Sequence, residues 1–142
     1  MRETYTIPDI AQMTGLNERT IRSYLANGQL QGEKVDGAWR FTAEQFSDFL
    51  VQDMVRSSVQ AKANAIVYDF LITSRRQEPA ACLILDQPVA DGGEPALREK
   101  LAERVNALGL RWAYQYQDGQ ARSILSGPPQ ALAEILSSYK DE

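Results

Sequence analysis

The chain has 142 residues, 44% of them hydrophobic and 24% charged, with a formal net charge of -4. That is ordinary globular composition, and the length suits one domain or two small ones. Histidine is absent and Cys82 is the single cysteine, which excludes intrachain disulfides, His-containing metal sites and the Ser-His and Cys-His nucleophile systems.

In chain order, Thr6-Ile7-Pro8-Asp9 reads as a helix start, with Thr6 as cap and proline early, where its missing N–H costs little. Ile7, Ile10, Ala11 and Met13 give that helix an apolar face, and Gly15 ends it. Asn17 caps a second helix, with Glu18 near its positive end and Ile21 and Leu25 facing inward. Arg19, Arg22 and Ser23 fall on the other faces, and Asn27-Gly28 ends the helix. Two short helices joined by a tight glycine turn make a helix-turn-helix. In QLQGEKVDGAWRFT, Asp36-Gly37 separates two extended runs, a strong hairpin signal, so a small two-stranded wing is expected. Thr42 and Gln45 have capping-box spacing ahead of a helix carrying Phe46, Phe49, Leu50 and Met54.

Residues 51–76 are ambiguous. Val55, Val59, Ala63, Ile66, Val67, Phe70 and Leu71 recur at helical spacing, while Ile66, Tyr68, Phe70 and Ile72 alternate like a strand. The longer pattern favours a helix. ACLILDQP then reads as a buried strand, and Asp91-Gly92-Gly93 as a turn. Glu94 to Leu108 reads as an amphipathic helix with Leu97, Leu101, Val105 and Leu108 on one face and Gly109 as its stop. LRWAYQYQ alternates as a strand, Asp118-Gly119 is a second hairpin signal, and Gln120 to Leu125 returns. Ser126-Gly127-Pro128 opens a last helix carrying Leu132, Ile135 and Leu136.

The expected fold is α+β: an N-terminal winged helix-turn-helix, a linking helix, and a small βαββα domain with helices on one face of a mainly antiparallel sheet. The expected boundaries are 1–54 for the first domain, 55–77 for the linking helix, which could pair two subunits, and 78–142 for a dimerisation or effector domain. The row Trp112, Tyr114 and Tyr116 suits a sheet face covered by helices better than a ligand platform.

YTIPDIAQMTGLNERTIRSYLANGQL, followed by GAWRFTAEQFSDFL, resembles the winged helix-turn-helix of MerR-type regulators and of the related excisionase-like proteins. The resemblance spans about residues 4–50 and rests on Tyr5, Ile7, Ala11, Gly15, Thr20, Ile21, Arg22, Tyr24, Gly28, Leu30, Arg40 and Phe41. Leu25 and Ala26 stand where MerR-type proteins usually carry an aromatic and a glutamate, and Glu33 and Asp36 flank a single wing lysine, Lys34. The excisionase-like branch is the closer fit. The resemblance implies double-stranded DNA as partner, with the second helix in the major groove and the wing on flanking phosphates. The implied contact residues are Asn17, Arg19, Thr20, Arg22, Ser23, Tyr24, Lys34, Trp39 and Arg40. The residues themselves leave Tyr24 open between core packing and phosphate contact, and favour wing packing for Trp39.

The chain is acidic in both parts. Residues 1–50 hold five basic and seven acidic residues, and residues 51–142 hold ten and twelve, each a net of -2. The electrostatic footprint of a nucleic-acid binder must therefore be local, and non-specific affinity low. A homodimer is expected, because a second subunit doubles a sparse set of contacts. A small-molecule effector is compatible with the C-terminal domain but is not indicated by any motif. No cofactor, metal site or catalytic constellation is expected, so the chain does not read as an enzyme. No apolar run approaches the roughly 20 residues that span a bilayer. The opening MRETYTIPDIAQM lacks a signal-peptide core, so a cytoplasmic location is expected. A second reading, motivated by the acidity, is a protein-interaction adaptor that keeps the winged fold without reading DNA.

Overall fold

The computed structural model of the chain describes residues 4–141. The N-terminal part runs β1 (Thr4–Tyr5), α1 (Ile7–Thr14), α2 (Glu18–Ala26), β2 (Glu33–Val35), β3 (Ala38–Thr42) and α3 (Ala43–Leu50). Local chemistry sets each boundary. Thr6 and Asp9 form a reciprocal capping box at the start of α1, and Gly15, at φ 77°, ends it. The Thr14 hydroxyl donates to the Ile10 carbonyl at 2.7 Å and accepts from the Leu16 N–H at 3.2 Å, so the turn into α2 satisfies its own polar groups. Asn17 caps α2 by accepting from the Thr20 N–H at 2.8 Å. The β2–β3 hairpin closes on Asp36 and Gly37, both at positive φ, as a two-residue turn of the primed kind requires. β1 adds to the other edge of β3 to give the antiparallel order β1-β3-β2. Gly32 is where a Cβ would lie 2.4 Å from the Phe41 ring, so the chain can cross that buried ring only as glycine.

Val51 and Gln52 interrupt the helical course after α3, and α4 (Asp53–Ile72) begins there. This long segment is helix and not strand; it starts two residues earlier and ends five residues earlier than the sequence suggests. Met54 is exposed and does not pack back with Phe46 and Phe49.

The C-terminal part runs β4 (Ala81–Pro88), α5 (Glu94–Leu108), β5 (Arg111–Gln117), β6 (Gln120–Gly127) and α6 (Pro129–Ser137), then a 3-10 turn over Ser138–Asp141. The βαββα order is as expected. The sheet is antiparallel with β6 between β4 and β5. One expectation is corrected: helices lie on both faces. Trp112, Tyr114 and Leu125 share the core with Leu101, Val105, Leu132 and Ile135 of α5 and α6. Ala113 and Ile124 point the other way and pack on Ala63 and Ile66 of α4. Because α4 covers the second face, three successive residues of β5 (Trp112, Ala113 and Tyr114) are buried and not every second one. Leu136 is exposed, so α6 buries Leu132 and Ile135 only.

The two halves share one core. Tyr5, Ile10, Phe46 and Phe49 cluster with Leu101, Val105, Trp112 and Leu125. Each such fully buried side chain contributes about 1.5–3 kcal/mol relative to exposure. The helix-turn-helix is thus packed against the second domain rather than tethered to it.

Candidate nucleic-acid interface

Helix α2 has a buried side and an exposed side. Ile21 and Tyr24 turn inward, while Arg19, Arg22, Ser23 and Ala26 are exposed. Their i, i+3, i+4, i+7 spacing puts these four on one outer face of the helix. Arg19 and Arg22 form no ion pair with another described residue, so both cations are free for a partner.

Asn17 and Thr20 stand at the N-terminus of α2, where Asn17 Oδ1 is committed to the cap; its amide nitrogen and the half-buried Thr20 hydroxyl stay available. Helix N-termini carry partial positive charge and suit a phosphate. The Gly15 turn before α2 is held from behind by α4: a Cβ there would meet the Lys62 Cβ at 3.3 Å.

Tyr24 packs inward. It is buried, its ring meets Phe49 edge-on at 5.2 Å, and its hydroxyl lies 3.0 Å from Ser58 Oγ of α4. Gln52 also reaches back, donating from its side chain to the Gln29 carbonyl just after α2. Helix α2 is therefore positioned by α3 and α4 together. The sequence pointed to α3 but not to Ser58 or Gln52, since polar residues near a helix start are normally solvated.

On the hairpin, Lys34 and Arg40 are exposed and Trp39 is half-buried. Trp39 stacks on Phe41, with centroids 6.4 Å apart and planes 13° from parallel, and the Lys34 ammonium lies 5.5 Å from the Trp39 centroid. Trp39 thus stiffens the hairpin and holds a cation over its face. Glu33 sits opposite Arg40 in the ladder, so part of the positive charge of the hairpin is offset locally.

The sequence missed a polar cluster at the seam between the two halves. On α5 the buried stripe is Glu94, Arg98, Leu101 and Val105, so two charged residues face the core. Tyr114 donates its hydroxyl to Glu94 Oε1 at 3.2 Å, and Arg98 Nη1 pairs with the same oxygen at 3.2 Å. Apart from that ion pair, the Arg98 guanidinium finds no hydrogen-bond partner among the described residues. Its cation instead lies 4.3 Å from the centroid of Phe46 and 5.4 Å from that of Tyr5. Burial, followed by the Glu94 carboxylate, pushes the Tyr114 phenol far above the ordinary tyrosine value, so it stays a donor. An i, i+4 Glu-Arg pair is the usual sign of a solvated helix face, so only the covering helix-turn-helix reveals this role.

Elsewhere, burial raises the Cys82 thiol above its ordinary pKa, which disfavours the reactive thiolate. No group of three or more acidic, cysteine or histidine side chains that could hold a metal ion occurs among the described residues. No helix among them is long and apolar enough to cross a membrane.

Residues 4–53 match the family model of a helix-turn-helix domain. The match takes in α1, α2, the hairpin and α3, about a third of the chain. It supports an excisionase-like helix-turn-helix for this segment. No curated protein and no solved structure matches the chain.

Proposed function

We propose that the chain is a sequence-specific DNA-binding transcriptional regulator acting as a dimer. Helix α2 enters the major groove with Arg19, Arg22 and Ser23, and the β2–β3 hairpin serves as a wing whose Lys34 and Arg40 approach flanking phosphates. Asn17 and Thr20 lie at the helix end that meets the backbone. The observation that carries this reading is the outer face of α2: exposed, polar, bearing two unpaired arginines, on a segment that matches a helix-turn-helix domain. Tyr24 and Trp39 support the interface from behind. The net negative charge of both halves fits a protein that binds through few, specific contacts.

The test is retention of fragmented host genomic DNA by the purified protein, followed by sequencing, with an Arg19→Ala/Arg22→Ala double variant as control. One enriched motif, two-fold symmetric and lost in the control, is the expected result. Each phosphate contact removed lowers the log–log salt slope by about 0.9, so the double variant should lose about 1.8 if both arginines touch phosphates. No enrichment at low salt from a folded protein would overturn the DNA reading in favour of a protein-binding adaptor.

A further inference from the structure

The sheet of the C-terminal part has one uncovered flank. Helix α4 packs over β5 and β6, and its Ala63 and Ile66 meet Ala113 and Ile124 there. On the same face, β4 presents Cys82, Ile84 and Asp86. Ile84 is 56% exposed, and the last turns of α4 add Tyr68 at 63%, Leu71 at 75% and Ile72 at 58%. Val67, Tyr68 and Leu71 on one side, and Ile84 and Ile124 on the other, line an open groove of about 410 Å³. Three large, mostly exposed apolar side chains (Tyr68, Leu71 and Ile84) border this groove, and a contiguous exposed apolar patch marks an interaction site.

β4 is also an edge strand. β6 pairs with its inner side, and no strand pairs with its outer side among the described residues. Its eight residues, ACLILDQP, are long and apolar for an unprotected edge, and only Asp86 carries a charge.

We infer that this flank is a homodimer interface, in which β4 pairs antiparallel with β4 of a second copy and the two α4 helices flank the join on the same face. This gives a surface to the dimeric reading proposed above and rests on it. The occupant follows from three observations. First, a two-fold axis perpendicular to the sheet joins two such edges into one six-stranded sheet and keeps the α4 faces on the same side. The exposed apolar side chains of both β4 strands and of both α4 ends then border one shared trough. Second, the bordering charges are neutralised within each copy. Arg122 grips Asp86 through two hydrogen bonds of 2.7 and 2.8 Å, and Arg111 pairs with Asp69 at 2.9 Å. Centred on Ile84, the pairing sets Asp86 of each copy opposite Cys82 of the other, so like charges do not meet. Third, a standard interface buries roughly 800 Å² per partner, so the eight-residue edge and the exposed end of α4 must both take part.

Sedimentation analysis of the full chain without DNA tests this independently of any DNA reading. The wild type is expected to sediment as a dimer at micromolar concentration. Leu71→Glu/Ile84→Glu should raise the dissociation constant by at least about 100-fold while leaving the far-ultraviolet circular dichroism unchanged. Should that variant fail to fold, Tyr68→Lys alters only an exposed side chain and should weaken the dimer in the same direction. Hydrogen exchange should show β4 amides slowing as protein concentration rises. A wild type that stays monomeric at high concentration overturns the inference. So does a dimer indifferent to these substitutions, or β4 amides that exchange at the same rate at every concentration. The Arg19→Ala/Arg22→Ala protein should still dimerise, so loss of DNA binding and loss of dimer are separable failures.

Discussion

Arg22 and Arg98 are the same side chain in opposite settings, and the contrast separates the two polar regions of the molecule. Arg22 stands on the outer face of α2 in water, without an ion pair among the described residues. A free exposed cation contributes little to stability and is available to a partner. Arg98 is 0% exposed, shares one carboxylate oxygen with Tyr114, and rests against Phe46 and Tyr5 of the other half. A buried cation must be compensated inside, so its work is structural. The first region can be changed with little effect on stability. The second holds the helix-turn-helix in place on its support.

The sharpest break of that contrast is Arg98→Ala. It leaves Glu94 buried without its cation and opens a hole beside Phe46 and Tyr5, which should cost about 3–5 kcal/mol. Chemical denaturation followed by circular dichroism measures it. The double variant Glu94→Gln/Arg98→Met, which removes both charges and keeps similar volume, should lose clearly less. Folded Arg98→Ala protein should keep the salt slope of DNA binding that Arg19→Ala/Arg22→Ala lowers. A cost below about 1 kcal/mol would mean that the seam does not depend on this pair.

Tyr24 tests the contrast at its boundary, since it belongs to α2 by sequence and to the core by packing. Tyr24→Phe keeps the edge contact with Phe49 and loses the hydroxyl contact with Ser58, which still has the Met54 carbonyl as acceptor. A loss of about 1 kcal/mol is expected. The DNA affinity of the folded variant and its salt slope should match the wild type. A drop in slope would move Tyr24 to the outer face.

What could be read in advance depended on how local its cause is. Asp36-Gly37 and Asp118-Gly119 were legible as hairpins because the turn is set by those two residues, and both aspartates stand at positive φ. The Thr42–Gln45 capping box was legible for the same reason. The outer residues of α2 followed from spacing around Ile21. By contrast, α4 carried a helical and a strand-like pattern at once, and packing of Ala63 and Ile66 on the sheet favours the helix. That packing also put a helix on the second sheet face, which no local pattern announced. The buried stripe of α5 runs through Glu94 and Arg98 because the helix-turn-helix covers that side, a partner some fifty residues or more away in sequence. The flank proposed as a dimer interface was visible only as ACLILDQP, whose unpaired outer edge depends on strand order.

The smallest expected effect is one of pH, and it probes the seam without changing its shape. Tyr114 is buried against Glu94, and its folded pKa is raised above the unfolded value of about 10. The folded state therefore holds that proton more tightly than the unfolded chain. The stability it contributes is complete below about pH 10 and is lost as pH rises beyond it. Between pH 8 and pH 10.5 the wild type should lose about 0.8 kcal/mol from this group alone. Tyr114→Phe cannot lose a proton there, so its unfolding midpoint should fall less over the same interval, although it starts lower for want of the hydrogen bond to Glu94. Every other side chain is common to the two proteins, so the difference between the two pH curves reports on Tyr114. Parallel curves would mean that the phenolate is tolerated beside Glu94, and that water reaches the seam where Arg98 lies against Phe46 and Tyr5.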